Sequence, residues 1–228
     1  MKKFSVLSLL LFNVAFAQPE IILSPVGHIY TPEGFDSNDS VEVVVTGNFP
    51  NPCYGRNKVE VRVEDDVIDI EVTAILSERF RRICPEMMIP FKEVISLGNL
   101  QGGEYFVNVN KGAVKGVLNV AEAPSNAVDE HLYAAIDYVE KKGKEDYVLH
   151  GWKYSDCVHL DKVEVVSNNR DTLSILPIMK QTQEFCPMKG MPISIPVKLN
   201  FASLKTRLPL IHVRTMDGKS FNSIINIE

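Results

Sequence analysis

After its first 17 residues the chain has no stretch approaching 18 consecutive apolar residues, so no further membrane span is expected. It also lacks a basic excess: 24 Lys and Arg stand against 29 Asp and Glu, a formal charge of −5. A nucleic-acid partner is disfavoured, because phosphate binding needs a basic face. There is no G-x-S-x-G elbow, no H-E-x-x-H pair, no P-loop and no G-x-G-x-x-G, so no local motif names a reaction or a cofactor. The four cysteines form no C-x-x-C pair. Tryptophan occurs once in 228 residues, yet 45% of residues are hydrophobic and 23% charged. That composition is globular and excludes a disordered, collagen-like or coiled-coil protein.

The amino terminus reads as an export signal, residues 1–17. Lys2 and Lys3 give the positive start, Phe4 to Phe12 is mostly apolar, and Ala15-Phe16-Ala17 is a small-x-small cleavage site. The mature chain then starts at Gln18, and no cysteine beside the site offers a lipid anchor. A soluble protein, periplasmic or secreted from a bacterial host, is expected. Removal of Lys2 and Lys3 takes the charge from −5 to −7. The part up to Pro124 carries 9 basic and 16 acidic residues, the remainder 13 of each, so the two halves present different fields to a partner.

The strongest signal is an internal repeat. At an offset of 104, Gly47 meets Gly151, Cys53 meets Cys157, and Lys58-Val59-Glu60-Val61 meets Lys162-Val163-Glu164-Val165. At 102, Cys84-Pro85 meets Cys186-Pro187 and Pro90 meets Pro192; at 103, His28-x-Tyr30 meets His131-x-Tyr133. Two homologous domains are expected, 18–123 and 124–228, joined by a short link around Pro124 that restricts their relative motion.

Within each copy apolar residues alternate with polar ones: Val59, Val61 and Val63 with Glu60 and Arg62; Ile68, Ile70 and Val72 with Asp69 and Glu71. Period two with β-branched residues predicts half-buried strands. Turn chemistry separates them at Glu64-Asp65-Asp66, Lys111-Gly112, Asn168-Asn169 and Asp217-Gly218. Closing hairpins are expected at 104–110 with 113–120 and at 208–215 with 219–227. Six to eight strands per copy predict an all-β fold of two tandem antiparallel β-sandwiches. Only 126–142 resists: Val128, Leu132, Ile136 and Val139 fall at helical spacing. The repeat favours a strand there, because its counterpart contains Pro32 and Gly34.

Leu97-Gly98-x-Leu100-x-Gly102-Gly103-x-Tyr105-x-Val107-x-Val109 resembles the penultimate-strand motif of immunoglobulin-like and fibronectin-type-III-like domains of exported bacterial proteins. The resemblance implies a tyrosine corner, with the Tyr105 hydroxyl bonding backbone upstream. It is clear only in the first copy; the second has Leu210-Ile211-His212-Val213 there. Such folds carry many functions, so the resemblance implies architecture alone.

Four cysteines in an exported protein predict disulfides, and of three connectivities the repeat favours Cys53 with Cys84 and Cys157 with Cys186. Met87, Met88, Met188 and Met191 follow the second cysteine of each copy; apolar surface is favoured there over a Cu(I) site. Arg79, Phe80, Arg81 and Arg82 form the one local excess of positive charge in an acidic half; a solvated loop or strand edge before Cys84 is the favoured reading, and Phe80 between the arginines makes it also a candidate binding patch, because Arg and aromatics are enriched at interface hot spots. His28 and His131 read as packing or turn residues, whereas His150, His159 and His212 have no counterpart across the repeat. Asn38-Asp39-Ser40 is a formal glycosylation sequon.

The expectation is an exported, non-enzymatic protein that binds a protein or a cell surface through exposed strand edges or end loops, with the first copy as the contact surface, without cofactor, metal or nucleic acid, in adhesion or envelope assembly. The competing reading is an enzyme inhibitor or a small hydrolase with a loop-borne site. A cleft gathering titratable groups around His150 or His159 would favour the enzyme.

Overall fold

The computed structural model describes residues 19–77, 84–124 and 133–227. The export signal, the Arg79, Phe80, Arg81 and Arg82 patch, and residues 125–132 with His131 lie outside the described residues.

Among the described residues sixteen strands form two sandwiches. In the first, β2 (Val26–Tyr30), β4 (Val41–Phe49) and β7 (Ile89–Gly98) make one sheet. The facing sheet comprises β1 (Ile21–Leu23), β3 (Phe35–Asp36), β5 (Tyr54–Glu64), β6 (Val67–Leu76), β8 (Gly103–Val109) and β9 (Val114–Ala121). In the second, β10 (Ala135–Lys141), β11 (Asp146–Lys153) and β14 (Met191–Lys198) face β12 (Val158–Ser167), β13 (Thr172–Gln181), β15 (Leu210–Thr215) and β16 (Lys219–Ile224). The repeat thus becomes nine strands and seven, and 135–141 is strand, as the repeat favoured over the helical spacing. Each sandwich has its own apolar core. In β6 the pattern is literal: Ile68, Ile70, Val72 and Ala74 are buried while Asp69 and Glu71 are exposed, each large side chain contributing about 1.5–3 kcal/mol by leaving water.

The turns form where their chemistry allows left-handed backbone. Asp65, Lys111, Asn169 and Asp217 all have positive φ, which short polar side chains and glycine tolerate best. Most neighbouring strands run antiparallel; β3 with β9, β6 with β8, and β13 with β15 run parallel. For the last two the cause is a detour: β7 and β14 each lie in the opposite sheet, so the next strand returns in the original direction. The Tyr105 hydroxyl donates to the Gln101 carbonyl at 2.9 Å, the upstream backbone bond that the resemblance implies. Cys53–Cys84 and Cys157–Cys186 are disulfides, one per sandwich.

The sheet register corrects the repeat alignment at its amino-terminal end. Val26 lies opposite Gly47 and Ile136 opposite Gly151, so β2 corresponds to β10 at an offset of 110. His28 therefore matches Tyr138, and the His28 and His131 equivalence, read from a short sequence match, does not hold in the strands. Both copies bulge at this point, between Val26 and His28 and between Ile136 and Tyr138. The bulge explains the repeated glycine. A Cβ on Gly47 would lie 2.1 Å from the Pro25 carbonyl oxygen, and one on Gly151 1.9 Å from that of Ala135.

Candidate binding surfaces

The change of offset from 110 to 104 leaves the segment between β2 and β4 six residues longer in the first copy. That extra chain reaches onto the second sandwich. Asp39 forms a bidentate ion pair with Arg214 of β15, both almost fully buried. Arg214 also donates to the Gly34 carbonyl and lies over the rings of Phe35 and Tyr133. Arg170 donates to the Thr31 hydroxyl at 2.6 Å, and the Glu33 amide donates to Ser174 Oγ at 3.1 Å. Beside this clamp the outer face of β2 and β4 lies on the outer face of β13, β15 and β16, where Tyr30, Val44, Leu210 and Ile224 make an apolar centre. Glu42 accepts from Ser220 and Asn222, and the Tyr30 hydroxyl donates to the Leu208 carbonyl at 2.8 Å.

Three titratable groups are tuned by this contact. Burial, the largest influence, pushes the His212 ring below the usual imidazole range; Glu42 and Asn222 oppose it and Arg214 adds to it. The neutral ring makes its Nδ1 bond to Asn222 at 2.9 Å, and Nε2 has no partner among the described residues. Burial alone would raise Asp171, but hydrogen bonds from His28, Asn168 and Thr172 and the charge of Arg170 hold its carboxyl below the ordinary range. Tyr30 is pushed up to about 12 by burial and by the Asp171 carboxylate, which keeps its hydroxyl a donor.

The face of β10, β11 and β14 corresponds to the face that the first sandwich buries at this contact, and here it is open. Tyr138 stacks on His150 with ring centroids 4.6 Å apart, and Trp152 and Tyr138 are each half exposed. Pro192, Ser194 and Pro196 complete the surface opposite Trp152, His150 and Val148. His150 bridges two polar neighbours, Ser194 Oγ at 3.0 Å from Nδ1 and Glu140 at 2.9 Å from Nε2. A serine, an imidazole and a carboxylate in series are groups able to move a proton. They lie on the outer face of the β10, β11 and β14 sheet. A cleft of about 410 Å3 sits elsewhere, beside His28, Lys115, Arg170, Asp171 and Lys205.

Of the residues singled out by sequence, the structure joins the four cysteines as expected and draws His28 and His212 into the contact between sandwiches. His159 is exposed on β12. Met87, Met88 and Met188 are exposed, with Phe185 beside the last of them. Asp39, flagged only as the centre of a sequon, is instead half of the buried ion pair. Sequence reading missed that clamp and the aromatic face; unequal spacing between β2 and β4 in the two copies was the available signal for the first.

A family model described as the ORF11 beta-sandwich domain matches residues 43–120. This span runs from within β4 into β9, so the first sandwich is similar to that domain over most of its strands. No curated protein and no solved structure matches the chain. The fold is that of a two-sandwich β protein, and two disulfides suit an oxidising compartment. Among the described residues no helix is long and apolar enough to cross a membrane.

Proposed function

We propose that the chain is an exported, non-enzymatic binding and assembly protein, built of two immunoglobulin-like sandwiches, whose contact surface is the open face of β10, β11 and β14. The observation that supports it is the exposure of Tyr138, stacked on His150, together with Trp152 on paired strands. Half-exposed Tyr and Trp held on rigid strands order little on binding and are enriched at hot spots of protein contacts. The partner is a protein surface. The test is crosslinking in the native host with tagged mature chain, wild type beside Tyr138→Ser with Trp152→Ser. A discrete protein recovered by wild type and lost by the variant supports the reading; recovery of the same proteins by both overturns this face as the contact. Arg79, Phe80, Arg81 and Arg82 remain a second proposed contact, tested in the same experiment by changing the three arginines to glutamate.

The Glu140, His150 and Ser194 series favours one second reading, a hydrolase. Ester and amide turnover by the purified chain, abolished by Ser194→Ala with the melting curve unchanged, would establish it. Equal turnover by both chains would remove it.

A further inference from the structure

The two halves of the contact between sandwiches are both repeated elsewhere on the molecule, and both repeats are uncovered. The first half is the face of β2 and β4; its counterpart is the open face of β10 and β11, where Tyr138 takes the place of His28, Glu140 that of Tyr30, Val148 that of Val44 and His150 that of Thr46. The second half is the face of β13, β15 and β16, centred on the cross-strand pair Leu210 and Ile224. Its counterpart is the outer face of β6, β8 and β9. There the matching cross-strand pair is Phe106 and Val117, equally apolar, with Phe106 half exposed. In both copies the first member of this pair lies one place before the residue facing the core: Ile211 in β15, Val107 in β8. Nothing on the described chain covers either surface.

We infer that the chain associates head to tail with a second copy of itself, the Phe106 and Val117 face of one molecule seated on the β10 and β11 face of the next around Val148, as the Leu210 and Ile224 face is seated on the β2 and β4 face around Val44 within one molecule; there Glu140 stands where the internal contact has Tyr30, and Tyr138 where it has His28. This rests on the proposed binding role of the open face and names its occupant. A partner built of the corresponding strands is already present in the chain, because each molecule carries one of each face. Such a contact is heterologous: every added copy exposes a fresh face at both ends, so assembly continues until it closes into a ring or grows as a filament. The contact is also weaker than the internal one. The second sandwich connects β10 to β11 by a tight turn in which the Lys142 and Gly143 amides bond to Asp146. It therefore has no equivalent of the segment that carries Asp39, and a docked copy is held by the faces alone.

The experiment is sedimentation velocity of the mature chain over a wide concentration range, with Val148→Asp and Phe106→Asp, each checked for an unchanged melting curve. Both substitutions are on outer faces, and each places a charge in the centre of the inferred contact. Wild type should grow in mass with concentration, and each variant should associate at least about tenfold more weakly. Mixed together, the variants should form a dimer and nothing larger, because each supplies the one intact face that the other lacks. A wild type that stays monomeric, or association that only one substitution weakens, overturns the head-to-tail arrangement. A monomeric wild type that still captures another host protein through Tyr138 and Trp152 removes self-association and leaves the proposed function standing. Loss of capture as well removes both.

Discussion

The first sandwich hides the outer face of its small sheet and the second displays it. Both faces come from matching strands, and their sequences differ in the way those two fates require. In the first, Glu42, Tyr30 and His28 each find a polar partner on the second sandwich. In the second, the corresponding strands carry Tyr138 and Trp152 and an edge strand with Pro192 and Pro196. Prolines lack an N–H, so that edge presents fewer donors to a stray strand, whereas β7 carries only Pro90. A segment six residues longer in one copy thus adds the Asp39 clamp to a contact that the two faces also make.

The sharpest way to break this difference is Asp39→Ala. It leaves the Arg214 guanidinium buried without its carboxylate, and should cost about 3–5 kcal/mol. Because the loss falls on the contact and on neither core, chemical unfolding should change from one transition to two. Removal of a disulfide acts on one sandwich at a time: replacement of Cys157 and Cys186 by serine opens a loop of 29 residues and should cost roughly 3.5 kcal/mol on the chain-entropy model. Separated transitions, measured in the Asp39→Ala background, should show the loss in the second sandwich alone.

Gly151→Ala and Gly47→Ala come next. Each methyl would overlap a carbonyl oxygen at the bulge, and displacement of that backbone should cost on the order of 1–3 kcal/mol. Similar losses in both copies, read from denaturant midpoints, would show that the bulge is the common requirement. The smallest effect is acid sensitivity of the contact. His212 is held neutral in the fold, so the unfolded chain takes up a proton that the folded chain refuses. Stability should fall as pH drops below the ordinary imidazole value of 6.5, by at most about 1.4 kcal/mol per pH unit for one proton. Asp171, whose folded value is depressed, stabilises above its ordinary value of 3.8 and that contribution is lost as pH falls further, through the folded value. His212→Asn should flatten the upper part of this profile, whatever it does to stability at neutral pH.

The strands, their turns and the disulfide pairing were legible because they follow from local alternation, from residues that tolerate positive φ and from the repeat. The contact between sandwiches was not, for a physical reason visible in β15. His212 and Arg214 alternate with Ile211 and Val213 as solvent-facing residues would, yet all six residues of the strand are buried. The face that carries them is covered by another domain, and alternation reports a polar face without reporting what lies on it. Asp39 looked like part of a loop for the same reason, since its partner is 175 residues away. The open face was obscured by the short match of His28-x-Tyr30 to His131-x-Tyr133, which set the two copies out of step in their opening strands.

That separation of 175 residues also sets an order in time. The chain emerges from its amino terminus, so Asp39, Glu42 and Thr31 are made long before Arg214, Asn222 and Arg170. Until then the first sandwich stands alone with its docking face in water. The polar groups that later anchor the contact meanwhile serve to keep that face hydrated. Loop closure over so long a span is slow relative to the local hairpins, and the meeting of the two sandwiches is expected to follow the formation of each.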